Sequence, residues 1–205
     1  MWMTEIPPFL PFFIGALLLL LTRGMLRSAI MIAIPILSGI HLWMVPEGIH
    51  LQFAFLDYQL TPYRVDKLSI MFGYVFHIAA LIGIIYSLHL RDTMQQVAAM
   101  LYAGSALGAV FAGDLLTLFI FWELLAFTSV FLILARRTQR AHDAAMRYLI
   151  IQVLSGVILL AGTLFYAYEN NSLAFRYIGL DSIAGWLILI AFGIKCAFPF
   201  AHNWL

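Results

Sequence analysis

Apolar residues in this chain run in stretches of about twenty separated by short polar joints, the length that crosses a hydrocarbon core of roughly 30 Å at 1.5 Å per helical residue. Seven spans are predicted, at 9–22, 28–46, 68–90, 94–113, 115–135, 147–168 and 183–201. The first is short, and the last is interrupted by Pro199. The expected fold class is therefore an all-α membrane protein. It is a bundle of about seven transmembrane helices with a discontinuous seventh helix, forming a single transmembrane domain over residues 1–205. Spans one to three are expected to wrap against a four-helix group formed by spans four to seven.

One joint is long. In residues 47–67, Ile49, Leu51, Phe53 and Phe55 alternate with His50, Gln52 and Ala54, a period of two that reads as an amphipathic strand or hairpin over 48–60, or else an interfacial loop. The other connections leave no room for a separate soluble domain.

Composition agrees: 64% of the residues are apolar, 10% are charged and the mean hydropathy is +0.98, far from the roughly 25% charged residues of a soluble domain. The formal charge of +1 offers no basic patch, so no nucleic-acid partner is expected. Arg23, Arg27, Arg91, Arg136, Arg137, Arg140 and Arg147 fall on one side of the predicted spans and Arg64, Lys67 and Arg176 on the other. The positive-inside rule makes the first side cytoplasmic, with the N-terminus outside and the C-terminus of this chain inside. No Lys or Arg precedes the first apolar run and no A-x-A-like site follows it, so no cleaved signal peptide is expected.

Ionisable groups inside apolar runs carry the chemistry, because each costs a few kcal/mol, about 2.5–3.5 on insertion scales, unless paired or hydrated. Glu123 lies roughly 12 Å in from the outer end of span five and Lys195 roughly 18 Å in from the outer end of span seven. At such similar depths the two are expected to meet, directly or through water, inside the helix group and away from lipid. An inert pair that fixes helix register is the alternative. Pro199 removes the amide that would bond the Lys195 carbonyl, so the helix break is expected beside the charge. His202 follows and is read as continuing a polar path towards the cytoplasm. Glu123, Lys195 and His202 are the predicted proton-transfer residues.

Other polar positions are read more plainly. His41 and His77 are expected to be hydrogen-bonded within the bundle, Asp114 to sit in a solvated turn, and Gly104, Ser105, Gly108, Ser155, Gly156 and Gly162 to serve close helix packing. Cys196 is the only cysteine, which excludes an intrachain disulfide and any Cys-based metal or iron–sulfur site. There is no nucleotide loop either, so no cofactor, no metal and no catalytic redox residue is expected, and the chain is not an enzyme by itself.

Three segments carry a resemblance: Asp66-Lys67-Leu68-Ser69 opening span three, Phe121-Trp122-Glu123-Leu124 in span five, and Lys195-Cys-Ala-Phe-Pro-Phe-Ala-His-Asn-Trp-Leu205. The chain resembles the antiporter-like, proton-conducting membrane subunits of respiratory complex I, related hydrogenases and Mrp-type cation/proton antiporters. Lys67 stands where that family commonly has glycine, and Cys196 where a small residue is usual. The resemblance implies that Glu123 and Lys195 are similar to the family's fifth-helix glutamate and broken-seventh-helix lysine, which take part in proton translocation. It also implies other membrane subunits as partners, protons and Na+ as transported ions, and a bacterial inner membrane location. The family has about fourteen helices in two inverted halves, of which this sequence resembles the first. An Mrp-type antiporter subunit, D in first place, is the expectation; a proton-pumping complex I or hydrogenase subunit is the runner-up, and an assembly or scaffold subunit is the rival of another class.

Overall fold

The structure is a computed structural model that describes residues 5–202 and 204. Among the described residues there are seven helices and one two-stranded sheet: α1 (Leu10–Leu21), α2 (Gly24–Trp43), β1 (Gly48–Phe55), β2 (Tyr58–Val65), α3 (Lys67–Ser87), α4 (Thr93–Phe111), α5 (Leu115–Leu134), α6 (Gln139–Asn170) and α7 (Ile183–Lys195). Five of them, α2 to α6, are long and apolar enough to cross a membrane, whereas α1 and α7 are shorter. The chain is a multi-pass membrane protein.

Local chemistry fixes most helix starts. Asp66, Asp92, Asp114, Thr138 and Ser182 each accept a backbone N–H from the first turn of the helix they precede. Asp66 and Ser69 form a reciprocal pair: the Asp66 Oδ1 accepts the Ser69 N–H and the Ser69 Oγ accepts the Asp66 N–H, both at 2.8 Å. The Asp66-Lys67-Leu68-Ser69 tetrapeptide is thus a helix start. The Ser69 N–H, with help from Arg64, holds the Asp66 carboxyl below its ordinary range. Thr138 also explains why α6 begins eight residues before the predicted span: capped there, its polar first turns run on ahead of the apolar stretch.

The hairpin spans 48–65, with Gly48 opposite Val65 and Phe55 opposite Tyr58, and two irregularities between them. Its buried strand is β2, through Leu60, Thr61, Tyr63 and Val65, while the alternating Ile49, Leu51, Phe53 and Phe55 of β1 are all exposed.

The apolar core divides differently from the expected three-plus-four. Phe12, Leu19, Met31, Leu42, Met100, Leu107 and Phe111 join α1 to α4 in one cluster, and Leu115, Trp122, Leu159, Tyr166, Ile188 and Ala191 join α5 to α7 in another. Helix α4 faces both groups through its glycines: a side chain at Gly104 would press on Phe12 of α1, and one at Gly108 would overlap the ring of Phe121 on α5, which is buried in the first cluster. Gly162 likewise lies against Ile188 and Leu187, so these small residues serve packing as read.

Candidate functional site

Helix α7 ends at Lys195, and its end is closed before Pro199 is reached. Ala197 takes a left-handed φ of 56°, its N–H donates to Ile194 O at 3.1 Å, and the Phe198 N–H donates back to Gly193 O at 2.8 Å. This pair of bonds is a Schellman closure, usually built on glycine, and a proline shortly after it is common. The Phe198 ring covers Gly193, where any Cβ would collide with it. Trp204 folds back as well, its Nε1–H donating to Ile194 O at 2.9 Å. The break thus lies four residues earlier than Pro199, and the lysine is the last residue of the helix. There the C-terminal end of the helix dipole favours a cation. Asn203 and Leu205 of this motif lie outside the described residues.

Lys195 reaches from α7 to α5. Its Nζ donates to the Trp122 carbonyl at 3.0 Å and stands 4.4 Å from the Trp122 ring centroid. Glu123 is the next residue, and of the two expected meetings, direct or through water, the direct ion pair is not formed. The ion pairs among the described residues are Arg64–Asp66, Arg137–Asp92 and His142–Asp143. The ammonium is held by the backbone beside the carboxylate.

Glu123 itself sits against α6. A methyl group at Gly156 would overlap its carboxylate, so this glycine is the seat of the acidic side chain as well as a packing position. Oε1 of Glu123 is buried with no hydrogen-bond partner among the described residues. The side chain is only half-buried, because its other flank borders a groove of about 470 Å³ between α5 and α6, lined by Phe119, Ile120, Leu124, Phe127, Leu149 and Val153. The expectation that Glu123 faces only the helix group is met on the Gly156 side and not on this one.

His202 is exposed and takes part in no hydrogen bond among the described residues. Pro199 is exposed and follows the closed helix end. His77 is buried and bonded through both ring nitrogens, to Gly73 O at 2.7 Å and Ser38 Oγ at 2.9 Å, and His41 donates to Ile6 O at 3.1 Å; both are bundle residues as read.

Asp114 corrects the expectation of a solvated turn. It is fully buried, its Oδ1 accepting the Thr117 N–H at 2.7 Å and its Oδ2 accepting the Thr61 N–H and the Thr117 hydroxyl, both at 2.6 Å. Its neighbours extend the contact, the Gly113 N–H donating to Thr61 O on the hairpin and the Leu115 N–H to Leu173 O in the loop after α6. The turn between α4 and α5 is therefore clamped between the hairpin and the loop after α6.

Sequence reading missed several polar groups of the α5–α7 cluster. Tyr148 on α6 shares a 2.7 Å hydrogen bond with Ser129 on α5 and packs its ring against Trp204 at 5.6 Å. Ser155, read from the sequence only as a packing position, also donates to Ala191 O at 2.9 Å. Gln152 is buried with its Oε1 unpartnered. The available signal was spacing: Tyr148, Gln152 and Ser155 recur at helical intervals inside an apolar run, on one face.

Comparison with known proteins places this geometry. Residues 112–205 match the family model described as NADH:quinone oxidoreductase/Mrp antiporter, TM. The Na(+)/H(+) antiporter subunit A1 of Staphylococcus aureus (strain bovine RF122 / ET3-1) is 29% identical over 119 residues, which is 55% of this chain and 15% of that protein. In fold, the chain is similar to a chain of respiratory complex I from Thermus thermophilus with bound aureothin, with a TM-score of 0.78 and 20% identity over 96% of this chain and 45% of that one. It is also similar to a chain of the Mrp complex from Dietzia sp. DQ12-45-1b, with a TM-score of 0.76 and 22% identity over 93% of this chain and 23% of that one. This chain therefore spans about one seventh of the length of the curated relative and less than half of either structural neighbour. The matched segment begins at the clamped turn and takes in Glu123, Gly156 and Lys195, and the fold likeness extends over the helices before it. Residues 112–205 thus resemble the membrane region shared by NADH:quinone oxidoreductase and Mrp antiporter proteins, and the whole described chain has the fold of membrane chains in complex I and Mrp assemblies.

Proposed function

We propose that this chain moves protons at mid-membrane as part of a multisubunit cation/proton antiporter, with Glu123 and Lys195 as the transferring groups. One observation carries the reading: the Lys195 ammonium is bound to the Trp122 carbonyl, one residue from a carboxylate whose Oε1 is buried and unpartnered. A pair kept only to fix helix register is best served by closing on itself, since an unpaired buried acceptor costs stability. Here the charges are adjacent and unclosed, which leaves each free to change partners.

A nearby carboxylate favours a lysine's ammonium form, and an apolar wall favours the amine. With Glu123 ionised the proton is held on Lys195; when Glu123 is neutralised or turns towards another partner, the lysine passes its proton to water or to His202. By the positive-inside rule the end of the bundle bearing Arg23, Arg27, Arg136 and Arg137 is cytoplasmic, so release is inward and the hairpin is outside. The Mrp-type reading rests on the curated relative and is held without a subunit letter, because that relative is subunit A1 while the sequence pointed first to D. The complex I-type reading is favoured by the fold neighbour from that assembly. In both, other membrane subunits are the partners; in the Mrp-type reading exchange for sodium drives the protons, and in the complex I-type reading a neighbouring redox module does, with any electron transfer belonging to it.

The test is proton flux in vesicles holding the complete complex with verified assembly. Lys195→Arg keeps the charge but cannot release a proton at physiological pH, so flux is expected to fall at least about tenfold. Wild-type flux in that variant would show that Lys195 supplies a static field. Replacing Glu123 and Lys195 together by apolar residues of similar size separates the scaffold reading, under which function survives.

A further inference from the structure

Three helices meet at the lysine, and the third brings a group with no role so far. Gln152 on α6 is 1% exposed, yet its Oε1 has no hydrogen-bond partner. An apolar side chain would fill that place without an orphaned carbonyl.

The helix register puts this amide at the lysine's depth. Ser155 Oγ bonds Ala191 O, and a side chain at Gly162 would meet the Ile188 amide, so residue numbers rise along α6 as they fall along α7 and the two helices run antiparallel. Lys195 lies four residues beyond Ala191 along α7, and Gln152 lies three before Ser155 along α6. Both steps are about 5–6 Å towards the same end of the bundle. Gln152 and Gly156 are four residues apart on one face of α6, and Gly156 is the seat of the Glu123 carboxylate. The groove beside Glu123 is lined on α6 by Leu149 and Val153, and the burial of Gln152 turns its amide away from that groove.

Donors and acceptors then match. An ammonium has three N–H donors, and one of those on Lys195 is taken by the Trp122 carbonyl. Glu123 Oε1 and Gln152 Oε1 are the buried carboxylate and amide oxygens left without a donor among the described residues.

We infer that Gln152 is a positioning residue of the lysine site, its side-chain oxygen giving the Lys195 ammonium a second resting place when it leaves the Trp122 carbonyl. The amide group suits this position because it is neutral and two-sided: Oε1 accepts from the ammonium while Nε2 can donate to the Glu123 carboxylate. The ionisable groups around it are Glu123 on α5, Lys195 on α7 and Tyr148 one turn away on α6, whose hydroxyl is engaged with Ser129. The inference rests on the reading of Lys195 as a proton carrier and names the acceptor that steers it.

The experiment is the pH profile of proton flux in vesicles containing the assembled complex, with Gln152→Met and Gln152→Glu compared against wild type and Lys195→Ala. Met removes an acceptor of the ammonium at nearly constant shape, so the profile is expected to move to lower pH by about one unit with a several-fold loss of maximal flux. Glu adds a carboxylate beside the lysine and is expected to move the profile to higher pH. Shifts of opposite sign support the positioning role, since a merely structural residue would lower flux without moving the profile. If the Met variant does not assemble, an upward shift in Gln152→Glu supports the role and an unmoved profile overturns it. Unmoved profiles in both variants, with Lys195→Ala inactive, overturn the inference and leave the proton-carrier reading standing. Full flux in an assembled Lys195→Ala complex overturns both.

Discussion

Two carboxylates stand nine residues apart on one stretch of chain, Asp114 at the start of α5 and Glu123 two and a half turns along it, and they could hardly be treated more differently. Asp114 is fully buried and saturated: two backbone N–H groups and a hydroxyl converge on it, from its own helix and from the hairpin. Glu123 is half-buried, receives no hydrogen bond among the described residues, and rests against a glycine with a lysine close by but bound elsewhere. A buried carboxylate whose oxygens are all met is held in one geometry and serves the fold. One with an orphan oxygen has been left room to exchange partners, at a cost to stability that packing alone does not explain.

The sharpest way to break this contrast is at Asp114. Asp114→Ala removes the acceptor for Thr61 N–H, Thr117 N–H and the Thr117 hydroxyl, and at about 1 kcal/mol or more for each orphaned buried group the loss is expected to be about 3 kcal/mol or more. Denaturant or thermal unfolding of the purified complex, with subunit assembly scored by native gel, should show a large drop. Full assembly and unchanged stability would remove the distinction.

Glu123→Gln should do the opposite. The amide keeps the shape and removes the charge, so assembly and unfolding midpoint are expected to stay near wild type while proton flux falls at least about tenfold, or about 1.4 kcal/mol. A destabilised complex with normal flux would put Glu123 in the same class as Asp114.

Gly156→Ala sharpens the same comparison through the seat. The added methyl meets the carboxylate, and overpacking of this kind is expected to cost about 1–3 kcal/mol together with lost flux. In the double variant Glu123→Ala/Gly156→Ala the clash disappears, so the stability losses should be non-additive by about 1 kcal/mol. Strict additivity in unfolding measurements would mean that the methyl strikes something other than Glu123.

The smallest effect belongs to Ser69→Ala, which opens the reciprocal cap at the start of α3. A loss of about 0.5–2 kcal/mol with unchanged flux is expected. The cap also has a pH sign. Because the folded-state value of Asp66 is depressed, its contribution is fully present above the ordinary carboxylate value of about 3.9 and is lost as pH falls through the lower folded value. Acid unfolding of Ser69→Ala should therefore begin at higher pH than that of wild type.

Helix positions were largely legible because span length is a local property of the apolar run. The predicted 115–135 and 94–113 meet α5 and α4 within two residues at each end. The early start of α6 has a local cause too, the Thr138 cap, and the break expected beside Lys195 is made by the left-handed Ala197. The hairpin was legible as a period of two, but the pattern marked the wrong strand as the packed one. Its alternating residues on β1 are exposed, and β2 carries the burial.

What the sequence determined by itself is the membrane class, the seven-helix count and the two charges inside apolar runs, because each follows from the cost of placing a residue type in hydrocarbon, whatever its neighbours. What only the tertiary structure decided is where those charges go. Asp114 caps helix α5 and Glu123 lies within it, and nothing in the linear order says that three donors will converge on the first and a glycine and an apolar groove will flank the second. Those partners come from the hairpin, from α6 and from α7, and whether a buried polar atom is satisfied is a property of the packed helices around it, never of its place in the chain.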